Sequence, residues 1–164
     1  TIALLRHYQP VFGVVYMPMF NDLTYTDGDD VIVNGTIVTG KLMRRWHADS
    51  YVFWRSDAHT LYDLHFTRIM AYGSTATHAA YTARGASVAT LVHDAYLWDM
   101  AAMAAFMAKQ GGVVADMHGD PIDFSRFDLH QKIMGTYIAA HPDVVKRLIP
   151  LLHPRERDIR HPAW

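Results

Sequence analysis

The chain has 164 residues, of which 51% are hydrophobic, so it is long enough for one domain with a buried core. Lys and Arg number 15 against 16 Asp and Glu. This near-neutral charge argues against a nucleic-acid-binding protein, which usually carries a basic stripe. The sequence has no cysteine, and no apolar run approaches the roughly 20 residues that span a bilayer. We therefore expect a cytoplasmic protein without disulfides, not a membrane protein.

The first 40 residues predict a β-meander. Residues 1–7, 11–16 and 23–26 are rich in β-branched and aromatic side chains, which favour strands. The segment "DGDDVIVNGTIVTG" places Asn34-Gly35 between two β-branched runs, the strongest short signal for a hairpin. The three aspartates of "DGDD" suggest calcium, but the rest of the EF-hand pattern is absent, so solvated hairpin charges are the better interpretation.

Strands and helices alternate in the rest of the chain, after residues 41–49, which give no clear pattern. Strands are predicted at 50–55, 67–72, 87–92 and 113–117, and helices at 56–66, 73–85 and 98–110. Residues 127–140 predict one strand or two short ones, 141–152 a closing helix, and 153–164 a loosely held charged tail. The expected class is mixed α/β, with residues 1–152 forming one domain or part of one.

The predicted helix at 98–110 raises a question about Asp99, the only carboxylate between Tyr96 and Gln110. Apolar positions 98, 102, 105 and 106 predict a core-facing stripe. An Asp at a helix start can cap backbone N–H groups and complement the helix dipole. It can also ligate a metal, although Mg²⁺ usually takes one or two carboxylates together with waters and substrate phosphate oxygens. The residues alone leave both interpretations open.

A second candidate segment is "YGSTAT", in which a predicted strand ends at Gly73 and Ser74 before a helix. Such a helix N-terminus presents free N–H groups to an anion or a sugar hydroxyl. The same pattern also fits a plain turn with a serine cap, so both interpretations stand. The chain has 11 histidines, but their spacing does not match a zinc site, which favours surface or hydrogen-bonded roles.

Taken together, several segments resemble the inositol monophosphatase family of Mg²⁺-dependent, lithium-sensitive phosphatases. "VFGVVYMPMFNDLTYT" is similar to a family strand pair, "VNGTIV" to its hairpin, and "GSTATHAAYTARG" to its Gly-Ser helix. "LWDMAAMAAFMAKQGGVVADMHGDPIDF" is similar to the family's Trp-Asp…Gly-Gly signature, which Trp98, Gly111 and Gly112 match. The resemblance covers most of residues 1–152.

This resemblance implies a fold, a reaction and a set of site residues. The fold would be the layered α+β sandwich of the inositol monophosphatase and fructose-1,6-bisphosphatase type. Asp99 would ligate an active-site Mg²⁺, and Gly73, Ser74 and Thr75 would contact the alcohol portion of a small phosphorylated metabolite. The implied reaction is phosphomonoester hydrolysis, and no further catalytic residue is identifiable in this chain.

The chain also departs from the family pattern. The family's other metal ligands lie in an earlier Glu-bearing segment and an Asp-Pro-Ile/Leu-Asp-Gly-Thr motif, and neither is present. The chain therefore resembles the C-terminal half of the fold, and we expect it to be inactive alone and to pair with a missing N-terminal half or with further copies of itself. Met70 stands in place of a usual Arg, Val92 in place of a substrate-contacting Glu, and Lys109-Gln110 in place of another Glu. These changes favour an alternative function, a non-catalytic binding or assembly module derived from the fold.

Overall fold

The chain begins with the antiparallel meander that the sequence predicts, in a computed structural model that describes residues 1–47, 49–64, 68–128 and 130–155. Five strands follow one another in a five-stranded sheet: β1 (Ile2–Arg6), β2 (Gln9–Met17), β3 (Asp22–Asp27), β4 (Asp30–Val33) and β5 (Thr36–Ile37). Asn34 and Gly35 form the two-residue turn between β4 and β5, with φ of 48° and 81°. Positive φ at both positions is what a type I′ hairpin turn requires.

A second five-stranded sheet contains β6 (Val52–Phe53), β8 (Ile69–Met70), β9 (Ala89–Tyr96), β10 (Val113–Asp116) and β11 (Lys132–Ala140). Its strand order is β10-β11-β9-β6-β8, and β6 runs parallel to both of its neighbours while the other pairs are antiparallel. Two further strands, β7 (Tyr62–Leu64) and β12 (Leu152–Pro154), pair with each other. The mixed sheets and helices confirm the predicted α/β class.

The helices are α1 (Thr75–Ala83), α2 (Leu97–Lys109) and α3 (Pro142–Leu148). The α2 helix packs on α1, on β1 and β2 of the first sheet and on β10 and β11 of the second, so it lies between the two sheets. The α3 helix contacts β11 and belongs to a separate buried cluster with Val52, Trp54 and Leu91. None of the described helices is long and apolar enough to cross a membrane.

The sandwiched position of α2 explains its composition. Met100, Met103 and Phe106 are fully buried, and so are Ala101, Ala102 and Ala105. A helix covered on both sides needs apolar residues around most of its circumference, not a single stripe. The predicted core-facing stripe included Trp98, and this part of the prediction is wrong, because Trp98 is 43% exposed. Its ring stacks on Tyr96 with ring centroids 4.4 Å apart.

Three other predictions fail, two because distant segments pair and one because of a local proline. Residues 56–66 do not form a helix within the described part. A short 3-10 turn at 58–60 leads into β7, and residues 65 and 66 lie outside the described residues. The closing helix stops at Leu148 and tightens to a 3-10 turn, because Pro150 lacks the N–H that a continuing helix needs. The tail predicted at 153–164 is not loose at its beginning, because β12 pairs with β7. Residues 156–164 lie outside the described residues.

The face of the first sheet that points away from α2 is apolar and partly exposed. Val15, Val31 and Thr24 are buried on the face toward α2. On the opposite face a single cross-strand row runs through all five strands and consists of Ile2, Val14, Tyr25, Ile32 and Ile37. Ile2 and Ile37 at the two ends of this row are 67% and 51% exposed. Strands that are apolar on both faces are typical of sheets buried on both sides.

Candidate functional site

A cavity of about 450 Å³ opens beyond the ends of β6 and β8, beside the middle of β9 and the start of α1. Pockets of this size hold small metabolites. Its wall combines charged, hydroxyl and apolar side chains with the Gly-Ser-Thr segment that the sequence predicts as a substrate loop. The lining residues are Trp54, Arg55, Ser56, Asp57, Gly73, Ser74, Thr75, His78, Leu91, Val92 and His93.

The Gly-Ser-Thr segment is shaped by the start of α1. Gly73 has a φ of 72°, a conformation that glycine adopts at little cost. Ser74 is the N-cap of α1, and its Oγ accepts a hydrogen bond from the backbone N–H of Thr77 at 3.3 Å. The serine-cap interpretation is therefore confirmed. It does not exclude a ligand, because the N–H groups of the first turn still face the end of the helix.

His78 fixes this segment from one turn further along α1. Its Nε2 accepts the backbone N–H of Tyr72 at 2.8 Å, and its ring stacks on Phe53 with centroids 5.4 Å apart. Burial lowers the pKa of His78 to about 4. The ring is therefore neutral at pH 7, as an acceptor nitrogen requires. His78 thus ties the loop before Gly73 to the helix after it.

The opposite wall carries a pair of oppositely charged residues. The Nε of Arg55 contacts Oδ1 of Asp57, and Nη2 donates to Oδ2 at 2.6 Å. These hydrogen bonds raise the pKa of Arg55 and lower the pKa of the Asp57 carboxyl, so both groups are charged. Within the described chain Nη1 of Arg55 makes no hydrogen bond. Nη1 of Arg55 can therefore donate to a ligand in the cavity, next to the Asp57 carboxylate.

His93 connects the cavity to a buried network behind it. Its Nδ1 lies 2.7 Å from Oγ1 of Thr136, which also accepts the hydroxyl of Tyr62 at 2.9 Å. Its Nε2 lies 3.6 Å from Oδ2 of Asp94. Asp94 sits in β9 at a φ of 55°, where the pairing of β9 with β11 shifts register, and its Oδ1 accepts the N–H of Gly135 at 2.8 Å. These contacts hold the His93 ring in place.

Asp99 lies apart from this cavity, at the third position of α2. The N-cap of α2 is Tyr96, and no side chain accepts the cap hydrogen bond. The capping interpretation of Asp99 is therefore wrong, although its charge still complements the helix dipole. Burial raises the pKa of the Asp99 carboxyl. The carboxylate makes no hydrogen bond with the described residues.

The two signature glycines end α2, each for a different reason. The N–H groups of Gly111 and Gly112 donate to the carbonyl oxygens of Ala108 and Met107, at 3.4 and 2.8 Å, which is the Schellman arrangement. Gly111 has a φ of 73°. A Cβ at Gly112 would lie 2.3 Å from a Leu42 methyl group and 3.0 Å from the Ala140 carbonyl oxygen. Both glycines shape the turn into β10 and neither lines the cavity.

The donors needed for a complete metal site are not present in the described part of the chain. No three His, Asp or Glu side chains come together there. Asp99 by itself fits one ligand position of a Mg²⁺ ion, because it is a partly buried carboxylate without a competing hydrogen bond. The remaining ligands would have to come from outside the described residues.

Reasoning from the sequence missed Arg55, Asp57, His78 and His93 as cavity residues. The segment that contains Arg55 and Asp57 was divided between a predicted strand and a predicted helix, which hid the loop after β6. His93 lies next to Val92, the position where the family resemblance implies a substrate contact, and this adjacency was the available signal. Val92 itself lines the cavity and is 3% exposed, so an aliphatic side chain occupies that position.

Comparison with known proteins identifies the family and the fold. The model of the inositol monophosphatase family matches residues 1–155. The chain resembles the Thermotoga maritima IMPase with 19% identity and a TM-score of 0.70, over 91% of this chain and 58% of that one. It resembles the extragenic suppressor protein suhB of Bartonella henselae with 21% identity and a TM-score of 0.71, over 91% and 61%. No curated protein sequence matches.

A staphylococcal structure, SaIMPase-II bound to inositol monophosphate, matches with 16% identity and a TM-score of 0.72, over 90% of this chain and 59% of that one. These likenesses show a shared fold, and the family match defines the class. The chain belongs to the inositol monophosphatase family. It spans about three fifths of the length of these structural neighbours.

Proposed function

We propose that this chain belongs to a Mg²⁺-dependent phosphomonoester hydrolase in which Asp99 ligates the metal. The observation that carries the proposal is a partly buried Asp99 carboxylate with a raised pKa and no hydrogen-bond partner among the described residues, in a chain of a phosphatase family. A bound Mg²⁺ supplies polarisation of the phosphoryl oxygens and stabilises charge on the leaving oxygen. Lithium sensitivity is part of the same proposal.

The chain's own residues would position the substrate. Gly73, Ser74 and Thr75 would contact the alcohol portion, in a loop that His78 holds against α1. SaIMPase-II has been described with inositol monophosphate and with 2'AMP, and both ligands are phosphomonoesters of hydroxyl-bearing rings. We take that class of small phosphorylated metabolite as the substrate of this protein.

The test is phosphate release from a panel of such phosphomonoesters, with and without Mg²⁺. We expect no turnover by the 164-residue chain, because its described residues hold no complete metal site. We expect Mg²⁺-dependent turnover by a longer version that carries the family's upstream carboxylate motifs. Turnover by the 164-residue chain would contradict the incomplete site. No turnover by the longer version would contradict the hydrolase and favour the non-catalytic module, which the buried Val92 also favours.

The apolar row on the first sheet, which is exposed at its two ends, supports a proposal about partners. We expect the isolated chain to associate with a second copy through the face that carries Ile2, Val14, Tyr25, Ile32 and Ile37, because exposed apolar patches of this kind mark interfaces. Light scattering should then give a mass above the 18.6 kDa of one chain.

Substitutions on that face test the proposed association. Leu4 is 58% exposed on β1, and Leu4→Lys should shift the equilibrium toward monomer. Met134→Lys is the matched control, since Met134 is 64% exposed but lies on β11 of the other sheet. A wild-type chain that remains monomeric at high concentration would contradict the interface.

A further inference from the structure

The cavity has two walls, and the proposed function uses only one of them. Gly73, Ser74 and Thr75 form the first wall. The second is the loop after β6, with Arg55, Ser56 and Asp57. The inference below rests on the proposed function, because it concerns how the same cavity recognises the alcohol portion of the substrate.

The β9 strand, which also lines the cavity, contributes no acidic side chain to it. Val92 is aliphatic and buried. Asp94, two residues further along β9, accepts the Gly135 N–H and faces His93, and it does not line the cavity. Asp57 is therefore the only carboxylate among the described lining residues.

The Arg55–Asp57 pair is prearranged for recognition of neutral polar groups. Its two parallel N–H···O contacts fix the plane of the guanidinium and leave Nη1 as a donor. The carboxylate oxygens keep further lone pairs as acceptors. Arg55 and Asp57 are 44% and 47% exposed, so a ligand can reach both. Since the two charges compensate each other, the pair has little preference for a charged ligand.

We infer that Arg55 and Asp57 are the specificity-determining pair of this cavity, and that they form hydrogen bonds with two neighbouring hydroxyl groups on the alcohol portion of the substrate. The guanidinium donates to one hydroxyl oxygen and the carboxylate accepts from the other hydroxyl. This assigns to the loop after β6 the contact that Val92 cannot make.

Four ring compounds of similar size test the inference: cis-1,2-cyclohexanediol, cyclohexanol, cyclohexanecarboxylate and cyclohexylamine. Their binding to the full 164-residue chain is measured by NMR titration of backbone amides, without metal. We expect the diol to shift the amides of residues 55–57 and 73–75 and to bind about tenfold or more tightly than cyclohexanol, the size expected for one hydrogen bond to a charged group.

Two variants and one control separate this role from a structural one. Arg55→Gln and Asp57→Asn should each abolish the preference for the diol over cyclohexanol while leaving the melting temperature nearly unchanged. Arg126→Gln should keep the preference, because Arg126 forms a comparable pair with Asp123 but lies outside this cavity.

Three outcomes would overturn the inference. The first is no binding of the diol by the wild-type chain, the second is tighter binding of cyclohexanecarboxylate or cyclohexylamine than of the diol, and the third is an unchanged preference for the diol over cyclohexanol in both variants. The measurement uses neither Mg²⁺ nor hydrolysis. Diol recognition without phosphate release by the longer version would therefore refute only the proposed hydrolase. Phosphate release without diol recognition would refute only this inference.

Discussion

Replacing Asp99 by Asn is expected to lower Mg²⁺-dependent phosphate release by the longer version about 100-fold or more. Loss of one carboxylate ligand removes part of the metal's stabilisation of the transition state, and a 100-fold change corresponds to about 2.7 kcal/mol. The substitution should not unfold the chain. Burial raises the pKa of the Asp99 carboxyl, so its charge is disfavoured in the folded state, and a neutral amide should leave the melting temperature unchanged or higher.

A readout without activity separates metal ligation from a structural role for Asp99. Mn²⁺ can replace Mg²⁺ at oxygen sites and broadens the NMR signals of nearby amides. In the longer version, which carries the upstream carboxylate motifs, we expect low concentrations of Mn²⁺ to broaden the amides at the start of α2 with Asp99 present and not in Asp99→Asn. Asp120→Asn is the matched control, since Asp120 is exposed in the turn after β10. Equal broadening in wild type and Asp99→Asn would contradict ligation by Asp99.

Acid should destabilise the chain through His78. The pKa of His78 falls from 6.5 to about 4 in the folded state because the ring is buried. The unfolded chain therefore binds a proton between these two pH values and the folded chain does not. Stability is fully present above about pH 6.5 and is lost as the pH falls toward 4, by at most about 3 kcal/mol. Urea unfolding at pH 7.5 and pH 4.5 measures this difference.

His78→Gln should reduce that pH dependence, because glutamine can accept the Tyr72 N–H without titrating in this range. His118→Gln is the control, since His118 is exposed and should leave the pH dependence as it is in the wild type. An equal loss of stability between pH 7.5 and 4.5 in wild type and His78→Gln would show that other groups cause the acid sensitivity.

The sequence determined the elements whose signals are local. Asn34-Gly35 specifies a two-residue turn because both positions need a positive φ, and the structure has that turn. Ser74 caps α1 and Gly111 ends α2 for equally local reasons of hydrogen bonding and backbone geometry. The family signature around Asp99 could be recognised from the sequence because its residues are close together in the chain.

Tertiary structure decided what depends on contacts between distant segments. Residues 62–64 form a strand because residues 152–154 pair with them, and no local pattern encodes that pairing. Trp98 is exposed although Leu97 and Met100 in the same turn of α2 are buried, because it lies on the side of the helix that the two sheets do not cover. Arg55, Gly73 and His93 share one cavity only because β6, β8 and β9 lie side by side in the second sheet. Periodicity shows which residues are buried or exposed, whereas the order of strands in a sheet is set by packing over the whole chain.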